Sequence, residues 1–416
     1  MRRSITEGLR ERQRRKNQYF ISQIKENRVK SLQVSSEKGI DSAHKGGLNS
    51  LELDSIDHRY LLSAATDASI AGYDVQEGSP QVVGRQSRRA LTEGCSEHKA
   101  LFKVDRSNPD CHKFSVTTAV WYPVDTGMFV TGSFDHEVKI WDTNVLAVAC
   151  SFTLPVRIFS LGMSHVAAAH CLVAVGGGEP QVKLCDPTSG AFTHSLVGHR
   201  EAVWALHWSL SSEWHLITGS CDGQVRLWDI RTSGCVHNFD QHDTHVGLRS
   251  QATRQYRQEA NATDRANVSR PAQHRTAHDG AVTAVVPTPD GMHCLTSGTD
   301  SRMRLWDLQH NSNALVNYPN TFNRAKKGRQ VSVSVDANMA FHPSGSVIQM
   351  FNTFDGSLHK LLRGHMDTVN ACCYNPTNQE LYSGSNDCQI IAWAAPRRAN
   401  EEDDVEDGDN EDTWSD

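Results

Sequence analysis

A histidine, a hydroxyl, an aspartate and an aromatic ring recur at fixed spacing along this 416-residue chain. His44, Ser63, Asp67 and Tyr73 form the first set; His112, Thr131, Asp135 and Trp141 the second; His199, Thr218, Asp222 and Trp228 the third. His278, Thr296, Asp300 and Trp306 follow, then His365, Ser383, Asp387 and Trp393. In each set the His precedes the Asp by 22 or 23 residues, the hydroxyl precedes it by four, and the ring follows it by six. Imidazoles beside carboxylates are the groups of general-base and metal chemistry, and the chain holds 21 His. The remaining His show no HExxH or paired CxxC spacing. A set repeated five times at a hairpin tip already has a role in folding. The spacing predicts a turn carboxylate that accepts from the strand hydroxyl and from the imidazole, with the imidazole reaching the indole nitrogen. A buried Asp is tolerated when its lone pairs are filled in that way. No P-loop pattern occurs, and Gly176-Gly177-Gly178 leads into Glu-Pro and a strand, which is a hairpin and not a phosphate cradle. No enzymatic activity, no metal and no cofactor are expected.

The elements that must carry these residues are strands. In the fullest copy, 198–231, residues 203–208 and 215–220 alternate apolar and polar, Cys221-Asp222-Gly223 turns the chain, and 224–228 alternates again. Asp-Gly between alternating runs favours a hairpin, because glycine accepts the positive φ of the primed turns. Five such copies resemble the WD40 repeat, each of which is one blade of a β-propeller. The expected fold is all-β, a seven-bladed WD40 β-propeller over 28–396 with an N-terminal helical arm and a disordered acidic C-terminal tail. Blade one spans 44–73, a polar link 76–110 leads to blade two at 111–142, and blade four is the opening copy. Blade three, 173–186, has Glu179 and Cys185 in place of Asp and Trp. A segment with six Arg and no strand pattern, 240–277, is expected to be a flexible insertion before blade five at 278–307. Blade six, 329–358, alternates without a tetrad, and blade seven spans 365–393.

Charge is segregated. Residues 399–416 hold ten acids and no base, and the stretch 397–416 reads as a disordered tail. Residues 1–30 hold ten Lys or Arg against three Glu. Residues 10–25 lack Gly and Pro and place Tyr19, Phe20 and Ile24 near one stripe, so 1–27 reads as a basic helical arm. Blade seven ends at Trp393 without an outermost strand, and the alternating run 28–35 is expected to supply it, with Val29 to Val34 as the closing strand. No run of about 18 apolar residues exists to span a membrane. The N-terminus has no apolar stretch of a secretory signal, and eleven Cys suit a reducing compartment.

Several stretches exceed what a blade demands: HKFSVTTAVWYPVDTGMF at 112–129, HCLVAVGGG at 170–178, GTDSRMRLWD at 298–307, ALVNY at 314–318 and QELYSGSNDCQIIAW at 379–393. With the acidic tail and its Trp414-Ser415 step, these resemble the Cockayne syndrome group A family of WD-repeat proteins. The resemblance implies a nuclear, non-catalytic substrate receptor of a cullin-four RING ubiquitin ligase acting in transcription-coupled nucleotide excision repair. It implies docking on the ligase's damaged-DNA-binding adaptor through the N-terminal arm and through an Arg two residues after a Trp-Asp step. The substrates it implies are the group B repair ATPase and stalled RNA polymerase II. Trp228-Asp229-Ile230-Arg231 matches that step, whereas the Trp-Asp pairs at 141 and 306 are followed by Thr-Asn and Leu-Gln. Arg231 and Asp229, with Phe20 and Ile24 of the arm, are the candidate adaptor contacts. A chromatin or histone-binding WD40 scaffold, using the acidic tail, is the competing class. Direct nucleic-acid binding through residues 12–16 or Lys326-Lys327-Gly328-Arg329 is not expected, since neither cluster interleaves aromatic rings.

Overall fold

The computed structural model describes residues 23–78, 96–232, 234–244 and 275–396. Phe20, most of the arm, the middle of the 240–277 insertion and the acidic tail therefore lie outside the described residues. Seven four-stranded antiparallel sheets form the ring, as the repeat predicts. Blade four shows the plan, with neighbouring strands Val203–Trp208, His215–Ser220, Val225–Asp229 and Gly234–Asn238. The first strand of each blade lines the central channel, and the second and third are buried between adjacent blades. Both faces of these strands are covered, which is why HLITGS reads as a nearly continuous apolar and small run. Blades approach so closely that a Cβ on Gly219 would lie 2.5 Å from a methyl of Val282 in blade five. The turn before each third strand and the loop before each first strand lie on one face, here the tetrad face. Connections from first to second and from third to fourth strand lie on the opposite, or far, face.

Two expectations need correction, and blade six, expected over 329–358, runs on to Arg363. The polar link 76–110 contains blade one's outer strand, Ala100–Val104, preceded by Ser96–His98, which pairs in parallel with Lys38–Ile40. Blade six is a whole sheet of Ser332–Val333, Met339–Ser344, Val347–Asn352 and Leu358–Arg363, although its inner strand has two residues. The closing strand is shorter than Val29 to Val34: residues 23–30 are helical, and only Gln33 and Val34 pair, with Ala394 and Trp393. The reason lies in packing. Val29 and Leu32 share one side of the turn and bury fully among Met339, Phe341, Leu362 and Ile391 of blades six and seven. The ring is thus sealed by an apolar peg followed by a short ladder, and a boundary at 27/28 would cut the helix. The ends of the 240–277 insertion are also fixed, since Thr244 bridges to Asn313 and Gln241 accepts from Arg304 at 2.7 Å.

The inner strand of blade six is short because the residues before it leave the blade and enter the channel. Lys327 Nζ donates to Asn49 of blade one at 2.5 Å, and Arg329 N donates to Thr283 O of blade five at 2.8 Å. Gln330 N donates to Asn370 O of blade seven at 2.9 Å. The Gln330 side chain accepts from Leu51 N at 3.1 Å and donates to Leu51 O at 2.6 Å. One segment therefore ties blades one, five and seven together from the inside.

Candidate protein-interaction site

Four tetrads close in the same order. In blade two, His112 Nδ1 lies 2.8 Å from Asp135, His112 Nε2 lies 2.8 Å from Thr131 Oγ1, and Trp141 Nε1 donates to that oxygen at 2.8 Å. In blade four the same three distances are 3.4, 2.7 and 2.7 Å, through His199, Asp222, Thr218 and Trp228. Blade five, with His278, Asp300, Thr296 and Trp306, gives 3.0, 2.8 and 2.8 Å; blade seven, with His365, Asp387, Ser383 and Trp393, gives 2.9, 2.8 and 2.8 Å. The hydroxyl stands between imidazole and indole and does not reach the carboxylate, which corrects the predicted order. Each carboxylate also accepts backbone N–H groups from the preceding loop and its own turn, as Asp135 does from Lys113 at 3.0 Å and Glu137 at 3.1 Å. Burial alone would raise Asp135, but bonds from His112 and these amides hold it down to about 2. Asp222, Asp300 and Asp387 are lowered by similar bonds against the same penalty.

Blade one departs from this. His44 meets Ser69 Oγ and Ser63 Oγ, both at 2.5 Å, and Ser69 in turn donates to Asp67. A serine relay replaces the direct His44–Asp67 contact, and Tyr73 OH accepts from Ala43 N at 3.0 Å in place of an indole bond. His112, Asp135 and Glu137 do offer ligand atoms within 4.8 Å of one another. Both ring nitrogens of His112 are already spent in the tetrad, however, so the cluster is a blade brace.

The far face carries a different arrangement around Arg231. Its guanidinium folds back on Asp229, at 3.1 Å to Oδ1 and 2.7 Å to Oδ2, and lies 5.8 Å over the ring of Trp214. The hydrogen bond from Arg231 holds the Asp229 carboxyl below its ordinary value. The Arg231 side chain remains 58% exposed, so a cation is presented in a fixed orientation and not waving in solvent. Trp214 continues to His170 at 5.3 Å, and His170 to Trp208 at 5.2 Å. His170 also lines a pocket of ≈ 250 Å³ between blades two and three, with Tyr122, Pro123, Val124, Met163, Ser164 and Cys171. Glu213 fixes the pocket loop by accepting from Ala168 N at 2.9 Å and Ala169 N at 3.2 Å. Val124 and Val166 stand exposed at this surface.

Ile24 is half-buried in the helix 23–30. It sits beside blades six and seven, where His359 contacts Lys30 O at 3.3 Å, whereas Arg231 belongs to blade four. The two candidate contacts are therefore separated across the disc. Sequence reasoning missed Trp214, His170 and the pocket, whose only signal was a Trp one residue ahead of the second strand. On the tetrad face it missed a row of rings, Phe134 to Phe159 at 5.7 Å and Phe159 to Trp204 at 6.3 Å, with Arg157 over Phe134. No helix among the described residues is long and apolar enough to cross a membrane.

Comparison with known proteins agrees with this geometry. The family model described as WD domain, G-beta repeat matches residues 106–142, 190–229, 269–307 and 356–394. These are the four blades whose tetrads include an indole. WD repeat-containing protein ATCSA-1 of Arabidopsis thaliana is 37% identical over 452 residues, covering 98% of each chain. Ribosome biogenesis protein ytm1 of Aspergillus fumigatus is 29% identical over 46% of this chain and 40% of its own. Its Neurospora crassa counterpart is 30% identical over 45% and 41%. Half-length likeness of that kind follows from shared blades, whereas likeness along nearly the whole chain includes the loops between them. The chain belongs to the WD-repeat family, and ATCSA-1 is a relative of it from end to end.

Proposed function

We propose that this protein is the non-catalytic substrate-recognition subunit of a cullin-four RING ubiquitin ligase acting in transcription-coupled nucleotide excision repair in the nucleus. In this reading the far face docks on the ligase's damaged-DNA-binding adaptor. Substrates of the kind represented by the group B repair ATPase and stalled RNA polymerase II are held on another face. The observation that carries the docking step is the presented Arg231, braced by Asp229 and Trp214 beside a pocket. Partly buried rings, an Arg and a pocket together have the composition of an interface hot spot. Arg231 offers a planar fork of donors that Lys cannot reproduce. No bond chemistry is asked of the propeller, and its contribution is to hold a substrate lysine near the charged ubiquitin carrier.

The test is co-purification with the adaptor. Arg231→Glu combined with deletion of residues 1–22 is expected to abolish it while the thermal melt stays within about 2 °C of wild type, since an exposed charge costs little stability. The deletion stops at 22 because the following helix sends Val29 into the core. Undiminished adaptor recovery by this variant would overturn the docking assignment.

A further inference from the structure

Rings and cations are presented together around the tetrad-face mouth of the channel. Phe134, Phe159 and Trp204 are half-buried and touch in a row, with ring centres 5.7 and 6.3 Å apart. Phe114, whose carbonyl accepts from Ser133 beside Phe134, is 62% exposed. At one end of the row the exposed Arg157 lies 5.7 Å over Phe134. At the other end the loop 323–329 comes across from blade five. Asn323 Nδ2 donates to Thr283 Oγ1 at 2.7 Å, Arg329 N donates to Thr283 O, and a Cβ on Gly328 would lie 2.5 Å from Trp204 O. Around this loop stand exposed Arg324, 5.3 Å over exposed Phe322, and exposed Lys326. Among the described residues none of Arg157, Arg324 and Lys326 has an ion-pair partner. The tetrad carboxylates Asp135, Asp222 and Asp300 are occupied by their own imidazoles, and exposed Glu201 directly follows exposed Arg200. A contiguous exposed patch of rings and cations marks a binding surface, and its chemistry selects acid and aromatic groups together.

We propose that the acidic segment 401–416 of this same chain docks here, with Trp414 laid on the row of rings and the flanking carboxylates on Arg157, Arg324 and Lys326. The segment holds ten acids and no base, and Trp414 is its one aromatic residue. Glu411 and Asp412 precede Trp414 and Asp416 follows it, so acid stands on both sides of one ring. The face offers the complement, a row of rings with cations at both ends. Indole stacks on aromatic rings and is the best partner for a cation over its face, and guanidinium groups donate charge-assisted bonds to carboxylates. The tether permits it. Pro396 follows the strand Ile390–Ala394, which ends on the far face of blade seven. Eighteen residues lead from Pro396 to Trp414, a reach of about 60 Å when extended. The path needs about 20 Å along a strand, about 15 Å across a four-stranded blade, and the width of the channel mouth. A segment tethered within its span acts at an effective concentration of about a millimolar, so modest contacts suffice. It is a resident competitor: an acidic, Trp-containing segment of another protein gains the tetrad face only by displacing it. This inference is independent of the ligase reading.

Photo-crosslinking in the full chain tests it, with p-benzoylphenylalanine in place of Trp414 and the joined sites read by mass spectrometry. Cross-links to Phe134, Phe159, Trp204 or residues 322–326 are expected. In an equal mixture of light and heavy-isotope protein they should join peptides of one label only. Arg157→Glu combined with Arg324→Glu, both exposed positions, is expected to lower the yield about threefold or more, since each change reverses a surface charge pair. Salt at about 1 M should lower it similarly. Lys99→Glu, an exposed change on the outer side of blade one, should leave it unchanged. Should the double variant fail to fold, Glu411→Gln, Asp412→Asn and Asp416→Asn together remove the same pairs from the other side and should lower the yield as much. No cross-link on the tetrad face, cross-links between chains, or a yield indifferent to these variants would overturn the proposal.

Discussion

Each complete tetrad links its groups in one order. The indole N–H donates to the hydroxyl, the hydroxyl meets Nε2 of the imidazole, and Nδ1 meets the carboxylate. That order follows from strand register: Thr131 lies opposite Lys139 while Trp141 stands two residues beyond, which puts the hydroxyl between ring and imidazole. The types and spacings were legible in the sequence, but the order was not, because it depends on a pairing that spacing alone leaves open. The Ser69 relay was hidden for a related reason, as it needs Ala68 at a φ of 71° to aim the serine back at Asp67. Buried histidines contribute to the response to acid. Burial lowers His44 and His342 from 6.5 to about 4, with Arg329 adding to the effect at His342 and Asp67 opposing it at His44. A lowered folded value means the unfolded chain takes the proton first. The stability these groups contribute is whole above pH 6.5 and is lost as pH falls toward 4. His342, with Nε2 held by Ser297 at 2.9 Å, is the cleanest probe. His342→Gln should flatten the pH dependence of the unfolding free energy between 6.5 and 4 by about 1.4 kcal/mol per pH unit, one proton's worth. Urea titrations at three pH values across that window would measure the slope.

At the scale of elements, markers decided what could be seen. Strands bounded by an Asp-containing turn and a Trp announced themselves. The outer strand Ala100–Val104 carries neither and faces solvent along part of its length, so it read as linker. In 28–35 two periods compete. Val29 and Leu32 stand three apart, which suits one side of a helical turn, and their burial outweighs the strand-like alternation around them. The peg, more than the two-residue ladder, should therefore hold the ring shut. Leu32→Ala is expected to cost about 2–5 kcal/mol, the usual range for emptying a buried leucine site. Val34→Ala, at a half-buried position, should cost clearly less. Guanidinium denaturation of both variants compares them directly, and equal losses would return the main role to the ladder.

For the whole molecule, the two faces divide the work. Tetrads and the row of rings occupy one, Arg231 and its pocket occupy the other, and the channel between them is stitched by residues 327–331. Gln330 is the residue to alter: Gln330→Ala leaves both Leu51 N–H and Leu51 C=O without their channel partner. A loss of about 1–3 kcal/mol in chemical denaturation is expected from such unpaired groups. The seven blades were countable from the sequence, but the stitch was not, since KKGR reads as an ordinary basic loop until the inner strand of blade six proves short.

The stitch and the peg share a property that bears on how the protein is made. Gln330 meets a partner 279 residues earlier, and residues 33 and 34 meet 394 and 393. Ribosomes add about 5–20 residues per second, so the first strand waits tens of seconds for its mate. Throughout that interval Val29 and Leu32 are greasy and homeless, and blade one offers a bare rim to any passing chain. Nascent copies should therefore lean on chaperones until Trp393 and Ala394 emerge, and a stop codon ahead of them would leave the closing ladder without its mate.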